Sequence, residues 1–271
     1  MLYHIKNEFL TATINSVGAE LWGIQTLGQD PVSCLWDGKQ ELWPRRAPVC
    51  FPWCGKIEDG WFEAEGCHYK AGQQHGFVRD LEHILVEKKA ERLRFRLEWD
   101  GDEVCWPWPF SFETSHTLEG RTLRTACTAV NLSSRAMPVQ LGFHPGLRCP
   151  FSPEYGIQDY CIRFEKPEIS GGTDTLDLTP ALFDHDSICF TNLRSDWLQL
   201  EERKTGRYLR VYTQGFPYVL LWSRPGIPGW VCIEPWTGYT GPGHMLSERP
   251  GTVLLPPGGS FSRAQKIEIA L

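Results

Sequence analysis

Apolar and charged residues alternate along Leu93-Arg94-Phe95-Arg96-Leu97-Glu98-Trp99, so one side of the segment is apolar and the other is charged. A period of two is that of an extended chain, whose successive side chains point to opposite faces, and it predicts a half-buried strand. Less regular versions of the pattern predict strands at Phe9 to Ile14, Thr122 to Val130, Leu209 to Thr213, Tyr218 to Trp222 and Ile267 to Leu271. The continuous apolar run Trp230-Val231-Cys232-Ile233 reads as a buried strand. No long segment keeps a helical period, and short helical turns are expected only around Thr179 to Phe183. Twenty prolines and 26 glycines punctuate the chain, as at Pro225-Gly226-Ile227-Pro228-Gly229 and Pro256-Pro257-Gly258-Gly259. Many short strands separated by turn signals predict an all-β fold, a sandwich or a barrel. With neither an internal repeat nor a low-complexity linker, residues 1–271 read as one domain.

Charge and composition narrow the partners. The formal net charge is −6 and no basic cluster is longer than Arg45-Arg46, so neither nucleic acid nor an anionic membrane is an expected partner. The N-terminal residues lack a basic segment followed by an apolar run, and no stretch nears the roughly 18 apolar residues of a membrane span, so a cytoplasmic location is expected. The ten cysteines are widely spread, which fits reduced thiols. Cys50 and Cys54 are the one close pair, and without a second Cys/His pair they do not predict a structural zinc. The 12 tryptophans are expected to serve mostly as core, although aromatic faces also stack on sugar rings.

Three segments place ionisable groups among turn and strand-end residues: His75-Gly76-Phe77-Val78-Arg79-Asp80, Gly142-Phe143-His144-Pro145-Gly146, and Ile233-Glu234-Pro235-Trp236-Thr237-Gly238. Glu234 closes the apolar run, and a carboxylate there is either paired or functional, because burying it alone is costly. His75 sits beside Gly76, and His144 lies two residues from both Gly142 and Gly146; glycine permits close approach of a ligand. His4, His68, His83, His116 and His244 lack that setting and read as structural.

These segments, in this order, resemble the three characteristic blocks of the aldose 1-epimerase family, most closely its LacX-like branch. Gly18-Ala19-Glu20-Leu21, Arg45-Arg46-Ala47-Pro48-Val49-Cys50-Phe51-Pro52 and Leu254-Leu255-Pro256-Pro257-Gly258 extend the resemblance from about residue 15 to the C-terminus. It implies a large β-sandwich of the galactose mutarotase-like type, a supersandwich, with an open cleft for a pyranose. It further implies Glu234 as base, His144 as acid, and His75 and Asp186 as sugar-binding residues, with Asp184 close enough to be the alternative to Asp186. Two positions depart from the family pattern. Lys56 stands where relatives usually carry arginine, keeping the charge but losing the two-pronged donor. Gly146 stands where an aromatic is common, which is expected to open the cleft.

The chemistry suits these residues. Anomer exchange removes the proton of the anomeric hydroxyl while protonating the ring oxygen, so one base and one acid, expected on opposite sides of the C1–O5 unit, are enough. Neither a metal nor another cofactor is expected, and no dinucleotide fingerprint or P-loop is present. Near neutral pH a glutamate is ionised, and a modest upward shift is expected to keep His144 protonated. Three rival readings accompany this one. A hexose-6-phosphate mutarotase would clamp phosphate with Arg45 or Arg46 and Arg79. A metalloenzyme would use His75, His144 and Glu234. A non-catalytic sugar sensor would bind without exchange.

Overall fold

The alternation read from the chain becomes antiparallel sheet. In the computed structural model, which describes residues 1–271, two large sheets and three small ones carry the regular structure. The larger sheet has nine strands in the spatial order Thr175–Asp177, Tyr160–Phe164, Trp197–Glu202, Tyr208–Tyr212, Ser260–Ala270, Thr122–Asn131, Phe110–Glu119, Arg92–Trp99 and Ile84–Lys88. The other has six: Ile188–Thr191, Tyr218–Trp222, Trp230–Trp236, Gly142–Phe143 and Val49–Cys50 in order, with Gly146–Arg148 also paired to Trp230–Trp236. Strands Leu2–Lys6, Leu10–Asn15 and Glu20–Thr26 form a separate three-stranded sheet.

The sandwich is held where alternate residues of the two large sheets meet. Phe95, Leu123, Ile162, Leu200, Leu209 and Ile267 of the larger sheet join Val219, Leu221, Val231 and Ile233 of the smaller one in a single buried cluster. Each such side chain contributes about 1.5–3 kcal/mol when fully buried, so the period of two fixes which face turns inward. A second core is aromatic: Phe51, Trp53, Phe62, Trp106, Trp108, Phe110 and Phe112 pack together, with Trp106 and Trp108 centroids 4.8 Å apart. Those rings are core, as expected for most of the tryptophans.

Each strand anticipated from the pattern is present, with ends shifted by a residue or two in most and Ile267 to Leu271 absorbed into the longer Ser260–Ala270. Thr179 to Phe183 holds overlapping turns closed by Leu182 N–H to Thr179 O and Asp184 N–H to Ala181 O, and no helix. Single 3₁₀ turns lie instead at Glu58–Gly60, Val78–Asp80, Ile157–Asp159 and Leu246–Glu248. No helix is long and apolar enough to cross a membrane.

Strands Tyr218–Trp222 and Trp230–Trp236 are what position the site. Their register pairs Leu220 with Glu234 and Trp222 with Cys232. With Val219, Leu221, Val231 and Ile233 committed to the core between the sheets, the alternate set of Leu220, Trp222, Cys232, Glu234 and Trp236 faces the opposite way.

Candidate active site

Over that outward face opens a cavity of about 540 Å³, within the range usual for small-molecule sites. Glu234 and His144 both line it, yet they are only 1% and 7% exposed. Glu234 lies within Trp230–Trp236 and not at its end, because Gly142 pairs with Trp236 and carries the ladder two residues further. His144 follows Gly142–Phe143 and is anchored by its own N–H to the carbonyl of Pro48 at 3.1 Å. The imidazole Nε2 stands 3.3 Å from Glu234 Oε2. Acid and base candidates are thus side by side and in contact, not on opposite sides of a ligand.

Their electrostatics also differ from expectation. Burial pushes Glu234 well above the usual carboxylate range, and the neighbouring acidic groups Cys50 and Asp186 add to the effect. Burial pushes His144 well below the usual histidine value, assisted by His75 and by the positive charge of Arg79. The expected upward shift of His144 is therefore reversed, since desolvation penalises its cation. Glu234 Oε1 and His144 Nδ1 are buried without any partner. Such groups are uncommon in folded proteins and are costly unless a ligand or water satisfies them.

His75 reaches the same cavity by a constrained route. Its φ is +68°, and the next residue, Gly76, has φ +71° with the position of a Cβ only 2.0 Å from the carbonyl oxygen of Phe51. Only glycine fits there. The His75 Nδ1 accepts the N–H of Gly55 at 3.0 Å, which leaves Nε2 as the protonated, donating nitrogen of the neutral ring. The ring stands edge-on to those of His144 and Trp236, each 5.3 Å away.

Lys56, Arg79 and Asp186 line the cavity as well, so the six residues singled out from the sequence are brought together. Arg79 is buried, and its Nη2 donates to Gln74 O at 2.7 Å. Asp184, the alternative to Asp186, does not line the cavity. Lys56 is exposed, and its carbonyl is held by Arg249 Nη1 at 3.0 Å while Arg249 Nη2 holds the carbonyl of Cys54 at 2.6 Å.

Arg45 and Arg46 are not part of the site. Arg45 pairs with Asp80, and Arg46 donates to Trp22 O at 2.7 Å with its guanidinium over the Trp22 ring. The buried Glu20 carboxylate accepts the backbone N–H groups of Arg46 and Ala47 at 2.7 and 3.0 Å. That segment is structural, and neither Arg45 nor Arg46 lines the cavity in which a phosphate clamp with Arg79 was expected.

Gly146 does not open the cleft either. A Cβ there would lie 2.7 Å from the Trp43 ring, so the missing side chain makes room for an indole from a different part of the chain. Trp43 lines the cavity with its centroid 5.1 Å from that of His144 and 5.6 Å from that of Trp230. Sequence reasoning missed Trp43, together with Gln74, Trp222, Arg224 and Tyr239 on the same wall. Trp43, Gln74 and Arg224 lie in irregular connections where no period marks them. Tyr239 directly follows the last of the three blocks, and that adjacency was the one available signal.

The histidines read as structural lie outside the cavity. His116 shows why: its Nε2 is 2.8 Å from Ala19 O and its Nδ1 is 3.0 Å from the Thr125 hydroxyl, and burial lowers its pKa to about 4. The metalloenzyme reading also changes composition. The group whose donor atoms approach one another within 4.8 Å is His144, Cys232 and Glu234, without His75.

Comparison with known proteins decides the family. The model of the aldose 1-epimerase family matches residues 1–253 of the 271. The chain belongs to the aldose 1-epimerase family. Protein LacX (chromosomal) of Lactococcus lactis subsp. lactis is similar at 28% identity over 299 aligned positions, covering 99% of each chain. Among solved structures, a galactose mutarotase related enzyme from Lactobacillus acidophilus superposes with a TM-score of 0.91 at 25% identity, covering 100% of this chain and 98% of that one. A galactose mutarotase-like protein from Lactobacillus casei gives 0.88 at 23% identity over 99% of each and shares the fold. The resemblance drawn from the three blocks, including its LacX-like branch, is borne out.

Proposed function

We propose that this aldose 1-epimerase family member interconverts the α and β anomers of a free aldohexose by general acid–base ring opening, with His144 as acid and Glu234 as base. The observation that carries the reading is the buried contact of 3.3 Å between His144 Nε2 and Glu234 Oε2 on the wall of a polar, aromatic cavity. The hydroxyl oxygen and the ring oxygen are bonded to the same carbon, C1, so neighbouring acid and base atoms reach both from one side. Glu234 takes the O1 proton while His144 protonates the ring oxygen. The C1–O5 bond breaks and an aldehyde forms. Rotation about C1–C2 and reclosure on the other carbonyl face give the second anomer, each group then reversing its role.

The cycle requires one proton on the pair, neither two nor none. Raising Glu234 opposes loss of the last proton and lowering His144 opposes gain of a second, so both displacements favour that state. Burial favours the proton on Glu234. Transfer across the contact, assisted when sugar hydroxyls hydrogen-bond the carboxylate, yields the ionised pair that starts the reaction. His75 Nε2–H and Asp186 supply a donor and an acceptor for sugar oxygens, and Trp43, Trp222 and Trp236 offer apolar faces.

A phosphorylated aldose is a second reading, favoured by Lys56 and Arg224. Both are exposed on the cavity wall and neither takes part in an ion pair. Polarimetry on freshly dissolved α-glucose, α-galactose and glucose 6-phosphate separates the two. Faster relaxation with a neutral sugar supports the first reading, and acceleration confined to the phosphate ester supports the second. No acceleration with any aldose contradicts both.

A further inference from the structure

Directly beside the acid–base pair lies a donor that ring opening does not use. Cys232 precedes Glu234 by two residues on strand Trp230–Trp236, so the two side chains share a face. The Cys232 sulfur, a ring nitrogen of His144 and a carboxylate oxygen of Glu234 lie within 4.8 Å of one another, and all three residues are buried. Within this group, His144 Nδ1 and Glu234 Oε1 are buried with no partner. Imidazole, thiolate and carboxylate are the donors that zinc takes in tetrahedral sites, and three protein donors leave the fourth position open.

The spacing suits an ion. Zinc–nitrogen and zinc–oxygen bonds of about 2.1 Å at a tetrahedral angle set an N···O edge of about 3.4 Å. His144 Nε2 and Glu234 Oε2 are 3.3 Å apart, which matches that edge and is long for an N–H···O bond. Edges to sulfur are about 3.6 Å, and the Cys232 sulfur lies within 4.8 Å of one donor atom of each partner, so relative to those atoms the thiol closes by no more than about 1.2 Å. His144 and Glu234 line the cavity, which gives an ion a route in, and Cys232 is buried outside that lining, packed with Trp36 and Trp230.

We infer that His144, Cys232 and Glu234 form a site for zinc or a similar borderline-soft divalent cation, and that the bound ion shuts off anomer exchange by occupying the acid–base pair. Binding forms the metal–sulfur bond and releases the Cys232 thiol proton to solvent, together with the proton shared by His144 and Glu234. No oxidant or reductant is involved. Magnesium, which prefers oxygen donors, is a poor match. The inhibitory half rests on the function proposed above; the binding half does not.

The test uses the full chain, stripped with a chelator and titrated with cobalt(II) chloride and zinc chloride. One cobalt per chain is expected, with a thiolate-to-cobalt charge-transfer band that zinc abolishes by displacement. Zinc is expected to suppress anomer exchange, and magnesium to leave it unchanged. In C232S, and in C232A as a second variant, the band disappears and half-inhibition needs at least about tenfold more zinc, while exchange without zinc stays within about twofold of the parent. E234Q, which keeps Cys232, is expected to bind cobalt at least about tenfold more weakly. Absence of a thiolate band in the parent, or unchanged zinc sensitivity in both Cys232 variants, overturns the proposal. If no sugar is exchanged, the cobalt titration still decides the binding half.

Discussion

Burial acts in opposite directions on a carboxyl and an imidazole, and at Glu234 and His144 both displacements bear on the proposed reaction. A lowered His144 means that a second proton joins the pair only well below the usual histidine value. A raised Glu234 means that the last proton leaves well above the usual carboxylate range. The expected profile of kcat/KM against pH is therefore a bell. Its acid limb falls as the vacant base is filled, and its alkaline limb falls as the single proton is lost. A profile that rises steadily with pH, with no alkaline limb, contradicts a shared proton. The residue types at 144 and 234 were legible because both sit in recognisable blocks. The direction of the His144 shift was not, because it is set first by burial, which only closure of the fold creates, and then by His75 and Arg79 from a distant part of the chain.

At the scale of elements, legibility followed how well hydrophobicity marks the inward face. Tyr218–Trp222 was read from end to end. Phe110–Glu119, one of the longest strands, was missed because Thr114 and His116 occupy buried positions in its alternation. Their hydrogen-bonding groups meet Cys127 and Thr125 on the neighbouring strand Thr122–Asn131 and the carbonyl of Ala19 from a turn outside the sheet, so polar residues stand where apolar ones would have announced the strand. Gly146 was misread for a related reason. Its neighbour in space is Trp43, carried by a connection with no period, and an empty position in the sequence is a filled one in the fold. The exchange is testable. G146F forces two aromatics into one volume and is expected to lower kcat/KM and cost roughly 1–3 kcal/mol of stability. The double variant G146F/W43A frees that volume and is expected to recover part of both losses, read from anomer exchange and thermal unfolding. No recovery in the double variant would sink the idea that the two aromatics share a place.

On the scale of the whole molecule, the period of two was sufficient for an all-β architecture, and three short blocks were sufficient for the galactose mutarotase-like sandwich. What sequence could not supply was the assembly of the cavity. Its wall combines the strands Tyr218–Trp222 and Trp230–Trp236 with turns around His75, Asp186 and Tyr239, so membership depends on three-dimensional closure. The same closure moves Arg45 and Arg46 away to brace Glu20, Trp22 and Asp80, and leaves Lys56 and Arg224 as the unpaired cations on the wall. The proposed reaction makes one proton-handling unit of the buried Glu234 carboxyl and the His144 imidazole, 3.3 Å apart. The direct test is the anomer-exchange rate of E234Q and H144A, measured by exchange NMR on an aldose that the parent accelerates, with folding verified by circular dichroism. A loss of about 10²- to 10⁴-fold in each variant is expected. Parent-like exchange in both folded variants would contradict the assignment.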